Sequence, residues 1–248
     1  MEGNSPSGAA DTKNVFADAG LKAVFINCTL KPPAQTSHTG LLMEASARIM
    51  RRAGVGVDLI RPSAHAIAPG VQADMTQHGW SRDDWPELWP RILAADILVM
   101  GTPIWLGEES SLCRLVIERL YAMSGELNGN GQSIFYGKTG GVVVTGNEDG
   151  LKHCAMTVLY ALGHIGYTIP PQADCGWIGE AGPGASYGDD RTGFDNDFTQ
   201  RNTTIMTWNL MHMARMLKEA GGLPSLGNDR RAWKQGERFG FENPEYRS

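Results

Sequence analysis

The sequence predicts an α/β fold in which a five-stranded parallel sheet is covered on both faces by helices. Three observations carry that prediction. Five short apolar runs alternate with five segments of helical periodicity between Leu21 and Leu217. The alternation implies right-handed βαβ units, which place helices on both sides of a parallel sheet. Three of the turns that follow strands are chemically unusual, and ligands of such sheets bind beyond the strands' carboxyl ends.

The first strand, Ala23–Ile26, stops at Asn27, and a hydroxyl-rich turn with Lys31, Pro32 and Pro33 follows. Ser37–His38–Thr39 opens a helix over Gly40–Ala53, whose apolar face is Leu41, Leu42, Ala45, Ile49 and Met50. Val55–Ile60 is the second strand. A polar stretch from Arg61 to Trp80 shows little period, and Asp83–Ala94 is a helix that Pro90 kinks or breaks. Asp96–Met100 is the third strand and Ser110–Met123 the third helix. Gly140–Val144 is the fourth strand and Gly150–Leu162 the fourth helix. Gly166–Ile169 is the fifth strand, with Ala173–Ile178 a possible continuation across Pro170–Pro171. Asp195–Ala220 is the last helix, and its stripe of Met206, Leu210, Met213, Ala214 and Leu217 reads as core.

Residues 1–19 read as a small, polar, disordered leader, residues 20–220 as one domain, and residues 221–248 as a tail. Trp233, Phe239, Phe241 and Tyr246 in that tail imply docking on the body or on a neighbouring subunit. A net charge of −5 without a basic patch argues against nucleic-acid binding. No apolar run has the length of a membrane span, which points to the cytoplasm. Cys28, Cys113, Cys154 and Cys175 are scattered and form no metal-ligand spacing. Cys28 lies where a helix N-terminus lowers a thiol's pKa, although packed, reduced cysteines are the commoner case.

The turn after the first strand is an anion site in outline: open amides and the positive end of a helix dipole, with Thr29, Lys31, Ser37 and Thr39 as further donors. It has neither a dinucleotide glycine pattern nor a P-loop, so it suits one terminal phosphate of a mononucleotide such as FMN. After the third strand, Pro103–Ile104–Trp105–Leu106–Gly107 offers a flat apolar surface with backbone groups for a heterocycle's polar edge. Core cover or a subunit interface explains these residues equally well. After the fourth strand, Thr145–Gly146–Asn147–Glu148 lets the backbone approach a ligand, or simply turns the chain into a helix cap. The glycine-rich segment Gly176–Tyr187 is either a flap over the site, with Trp177 or Tyr187 stacking on a substrate, or a surface loop.

Three segments, NCTLKPPAQTSHT, GTPIWLGEESS and VVTGNEDG, together resemble the flavodoxin-like NAD(P)H-dependent FMN reductase and quinone reductase superfamily. The resemblance runs from Leu21 to Leu217 and implies strand order 2-1-3-4-5. It implies that Thr29, Lys31, Ser37 and Thr39 hold the FMN phosphate, with His38 either on the phosphate or capping the helix. It also implies that Pro103, Ile104, Trp105, Leu106 and Gly107 line the ring system, and that Thr145, Gly146, Asn147 and Glu148 meet its polar edge. NAD(P)H is the implied co-substrate, and a quinone, a nitro or azo compound or free flavin the electron acceptor. Hydride transfer needs no protein acid or base, so no catalytic residue is assigned. A homodimer or homotetramer is implied. A flavodoxin-type electron carrier without a substrate of its own is the alternative.

Overall fold

The computed structural model describes residues 11–182 and 184–242. Its sheet contains β1 (Lys22–Asn27), β2 (Gly56–Ile60), β3 (Ile97–Trp105), β4 (Glu108–Glu109), β5 (Thr139–Gly146) and β6 (Asp174–Ile178). Five strands are parallel in the order β2-β1-β3-β5-β6, and β4 folds back antiparallel on the end of β3. Renumbered without the short β4, this is the 2-1-3-4-5 order implied by the sequence. The helices are α1 (His38–Arg52), α2 (Trp85–Leu93), α3 (Ser111–Tyr121), α4 (Leu151–Ile165), α5 (Asp197–Glu219) and α6 (Arg230–Lys234).

Alternate residues of each strand serve opposite faces. Val24, Ile26, Leu98, Met100, Val142 and Val144 pack with the apolar sides of α2, α3 and α4. Ala23, Phe25, Ile97, Val99 and Val143 pack with α1 and α5, where Met206, Leu210 and Ala214 of the predicted stripe lie in the core. Both faces of every central strand are therefore dry, which is why these strands read as solid apolar runs.

The fifth parallel strand is β6, and Gly166–Ile169 is not a strand. Thr168 makes a single bridge to Thr139 before Pro170 and Pro171, which have no N–H to donate, end the ladder. β3 also runs five residues beyond the predicted Met100. β1 ends at the Asn27–Gly101 pair and β4 pairs only with Ile104 and Trp105, so at Thr102 and Pro103 the neighbouring strand is β5 alone, and Pro103 fits there without losing a sheet bond. Pro90 sits inside α2 without ending it. The backbone carbonyl it would have bonded through an N–H is that of Pro86, one turn earlier.

Met1–Ala10 of the expected leader lies outside the described residues. The remainder packs on the body: Phe16 is 1 % exposed, and the Asn14 and Phe16 amides donate to the carbonyls of Arg52 and Ala53. The tail docks on the same chain, where the Gln132 side-chain amide donates to Leu223 O, Pro224 O and Asn228 Oδ1. Tyr246 falls outside the described residues.

Candidate functional site

A cavity of about 520 Å³ opens at the carboxyl ends of β1, β3 and β5, within the roughly 300–1,000 Å³ range of ligand clefts. All the sequence-selected site residues line it except Gly107, joined by Leu30, Ala181, Gly182, Ser186 and Tyr187. At one end lie hydroxyls that are almost entirely buried: Thr29 is 4 % exposed, Ser37 7 % and Thr39 2 %. Ser37, extended at φ −100°, is the N-cap of α1 and accepts from the Gly40 amide at 3.0 Å. Thr39 Oγ1 lies 2.6 Å from Thr145 Oγ1, so β5 and α1 meet through two hydroxyls that share one hydrogen bond. The Lys31 ammonium stays close, donating to Thr36 O at 3.1 Å.

His38 does not cap the helix, because Ser37 occupies that position. Its Nδ1 instead accepts the Gly188 amide at 3.0 Å, while Nε2 lies 3.8 Å from Asp189. The first residue of α1 therefore holds the loop that follows β6. Burial, and secondarily the Lys31 charge, lower the His38 pKa from its usual 6.5, while Asp189 opposes them. Only the neutral ring can accept at Nδ1. The loop contact is thus fully present above pH 6.5 and weakens as pH falls through the lowered value, with Asp189 pairing to the imidazolium in partial compensation. Amide exchange of Gly188, corrected for its intrinsic rate, is expected to quicken on acidification below 6.5 and to become pH-independent in His38→Ala; a flat profile in the unaltered protein contradicts this.

The apolar wall is made by β3 and its hairpin. Leu106 (φ +54°) and Gly107 (φ +81°) are both left-handed, the geometry of a two-residue type I′ turn between Trp105 and Glu108. A leucine in that region costs roughly 1–3 kcal/mol, and its side chain is 93 % exposed at the cavity's edge. Glu148 steadies it, accepting the Leu106 amide at 2.7 Å. Trp105 is 56 % exposed and lines the mouth. Gly107 sits outside the lining because it packs beneath Gly150: a Cβ on Gly150 would lie 2.6 Å from the Gly107 carbonyl oxygen.

Asn147 faces the loop after β6 more than the cavity. Its amide nitrogen donates to Gly184 O and Ala185 O, at 2.8 and 2.9 Å, and its oxygen accepts from Ser186 Oγ at 3.2 Å. Trp177 belongs to β6, and Tyr187 is 1 % exposed, wedged between Trp177 and Phe194. The segment is tied down at both ends, by Asn147 and by His38. Neither tie was visible in sequence, since each joins residues more than thirty apart in the chain.

Cys28 is no activated thiol. It is fully buried beside Cys113, and burial pushes its pKa well above the ordinary value. Cys154 and Cys175 are likewise pushed up to about 12.

The donor chemistry fits FMN. Buried hydroxyls, a lysine and a helix N-terminus stand at one end, a proline–isoleucine–tryptophan–leucine wall at the other, and both belong to one cavity. The comparisons agree with it. The chain is 33 % identical to RosB, whose crystal structure holds 8-demethyl-8-formylriboflavin-5′-phosphate, with a TM-score of 0.78 over 90 % of each chain. It is 35 % identical over 207 residues to the 8-demethyl-8-aminoriboflavin-5′-phosphate synthase of Streptomyces davaonensis, covering 80 % of this chain and 79 % of that protein. It is also 61 % identical over 200 residues to the divalent metal cation transporter MntH of Mycobacterium bovis, where the match covers 80 % of this chain and 29 % of the transporter. The chain thus spans less than a third of that relative's length. Residues 21–176 match the family model described as NADPH-dependent FMN reductase, so the chain belongs to that family of flavodoxin-like oxidoreductases.

Proposed function

We propose that this chain passes electrons from NAD(P)H through FMN to a planar small-molecule acceptor, free flavin foremost, with quinones and nitro or azo compounds as further candidates. The observation that carries this reading is the single cavity joining the buried hydroxyl set to the Trp105 wall. Thr29, Lys31, Ser37 and Thr39 would hold the phosphate, and Pro103, Ile104 and Leu106 would lie against the ring system. When bound, FMN supplies the hydride acceptor for the nicotinamide and the electron donor for the second substrate. The chain's part is to bind, orient and exclude water. Glu148 fixes the hairpin through the Leu106 amide, and Asn147 fixes the flap. Hydride transfer itself asks for no protein acid or base, which agrees with a cavity whose one histidine is engaged with Gly188.

Anaerobic stopped-flow mixing of the FMN-loaded protein with NADPH or NADH tests this. Rapid, saturable bleaching of the flavin band supports a reductase. Tight FMN binding without reduction by either nucleotide points to a carrier and overturns the enzyme reading. The two riboflavin-phosphate relatives favour a second reading, in which the flavin phosphate is itself the substrate. Chromatography of the flavin after turnover separates the two, since a cofactor is recovered unchanged. The transport named for the mycobacterial relative is not carried over, because the match covers 29 % of that protein.

Trp105→Ala is expected to raise the acceptor KM about tenfold, the loss of one stacking surface, while FMN affinity changes little. Parallel loss of both would make Trp105 a structural residue. A homodimer or homotetramer is supported by Tyr121, Met156 and Tyr160, which stand 51 %, 62 % and 71 % exposed beside one another on α3 and α4. Four free thiols support a reducing compartment such as the cytoplasm.

A further inference from the structure

Arg61 follows the last residue of β2 and does not line the cavity, yet its guanidinium gathers most of the carbonyls of the turn after β1. Nη2 donates to Lys31 O at 3.0 Å, Pro32 O at 2.9 Å and Gln35 O at 3.0 Å, and Nη1 donates to Pro33 O at 3.2 Å. Nε donates to Ser63 Oγ at 3.3 Å, and that hydroxyl donates in turn to Lys31 O at 3.0 Å. Of the five residues Lys31 to Gln35, only Ala34 has a carbonyl that this one cation does not engage.

The sequence of the turn explains the need. Pro32 and Pro33 have no N–H, so residues 31–35 bring five carbonyl acceptors and only three amide donors. Two of those donors are already spent, Lys31 N on Thr29 Oγ1 and Gln35 N on Pro32 O. The turn therefore carries surplus oxygen beside the hydroxyls of Thr29 and Ser37. Carbonyl oxygens facing the cavity would repel an anion there, and a planar five-donor cation is the side chain best suited to hold several of them elsewhere.

We propose that Arg61 is a positioning residue for phosphate recognition. It turns the carbonyls of Lys31, Pro32, Pro33 and Gln35 onto itself, and so leaves Thr29, Lys31 and Ser37 to present donors to a terminal phosphate. The inference rests on the FMN reading above and names the element that makes the turn selective for the phosphorylated flavin.

Calorimetric titration of FMN and of riboflavin, which lacks the phosphate, into the unaltered protein, Arg61→Ala and Arg61→Lys tests it, with a thermal melt of each. Arg61→Ala is expected to raise the FMN Kd about 10- to 100-fold, while the riboflavin Kd moves less than about threefold. Arg61→Lys keeps the charge but not the fork, and is expected to recover only a minor part of the loss. Full rescue by lysine would mean that long-range charge, not the clamp, does the work, and would overturn the proposal. Parallel weakening of FMN and riboflavin, or an unchanged FMN Kd, would overturn it as well. If Arg61→Ala does not fold, Ser63→Ala removes the second hold on Lys31 O and is expected to show the same selective loss at about threefold; no selective loss there counts against the clamp. Failure of the unaltered protein to bind FMN at all would instead sink the cofactor reading itself, a separate result.

Discussion

Replacing Arg119 with methionine is expected to destabilise the protein by about 3–5 kcal/mol, because it strands a buried charge. The Arg119 and Asp83 side chains are both fully buried and meet at 2.7 Å. Asp83 also accepts from the amides of Ala68, Met75 and Trp85, while Arg119 donates to Ala68 O and Ala73 O and lies 5.6 Å from the Trp85 ring centroid. One ion pair thus closes the polar stretch after β2 onto α3 and the start of α2. Burial lowers the Arg119 pKa, and the Asp83 carboxylate beside it opposes that shift. Urea denaturation of Arg119→Met, Asp83→Asn and the double variant measures this. The double variant is expected to lose clearly less than the sum of the two singles, since it strands neither charge. A loss under about 1 kcal/mol in Arg119→Met would show the site relaxing to admit water.

That pair also marks where sequence reading stops. The helical spacing puts Arg119 on related faces with Leu112, Leu115, Val116 and Leu120, but nothing local names its partner, which lies 36 residues away in the chain. The stretch Arg61–Trp80 looked formless for the same reason: its order comes from Asp83, Arg119 and Arg61, not from a local period. Local signals were read well where the physics is local. The dry strands declared themselves by their apolar runs, and the helices opening at Ser37–His38–Thr39 and at Ser110 were placed close to their true starts, although the structure, not the sequence, shows that Ser37 and Ser110 are the N-caps. The three loops chosen as candidate ligand contacts come together because sheet topology places them at one edge, and all their chosen residues but Gly107 line one cavity. Gly107 was misplaced because only the fold shows that it is spent on the approach of Gly150. The fifth strand was set too early because Gly166–Ile169 has the right composition, and only the pairing shows that β6, after the two prolines, carries the ladder.

The Ser37→Ala/Thr39→Ala double variant is expected to lower FMN affinity by about 100-fold or more, the loss of two hydrogen bonds to a charged group at about 1.5 kcal/mol each. The geometry says why these hydroxyls have something left to give. A hydroxyl carries one proton and two acceptor sites. Between Thr39 and Thr145, 2.6 Å apart, one proton makes the bond and the other remains for a ligand. Ser37 Oγ is an acceptor toward Gly40, and its own proton makes only a long, 3.4 Å contact with Asn27 Oδ1. Removing the Ser37 hydroxyl also removes the cap of α1, at about 1 kcal/mol, so stability and binding must be separated. Ser37→Asp separates them. Aspartate caps a helix as well as serine does, but brings a negative charge to the phosphate end of the cavity. The melting temperature is therefore expected to hold while the FMN Kd rises further than in Ser37→Ala, with riboflavin affected least. Equal FMN affinity in the serine, alanine and aspartate forms would remove the phosphate from this end of the cavity altogether.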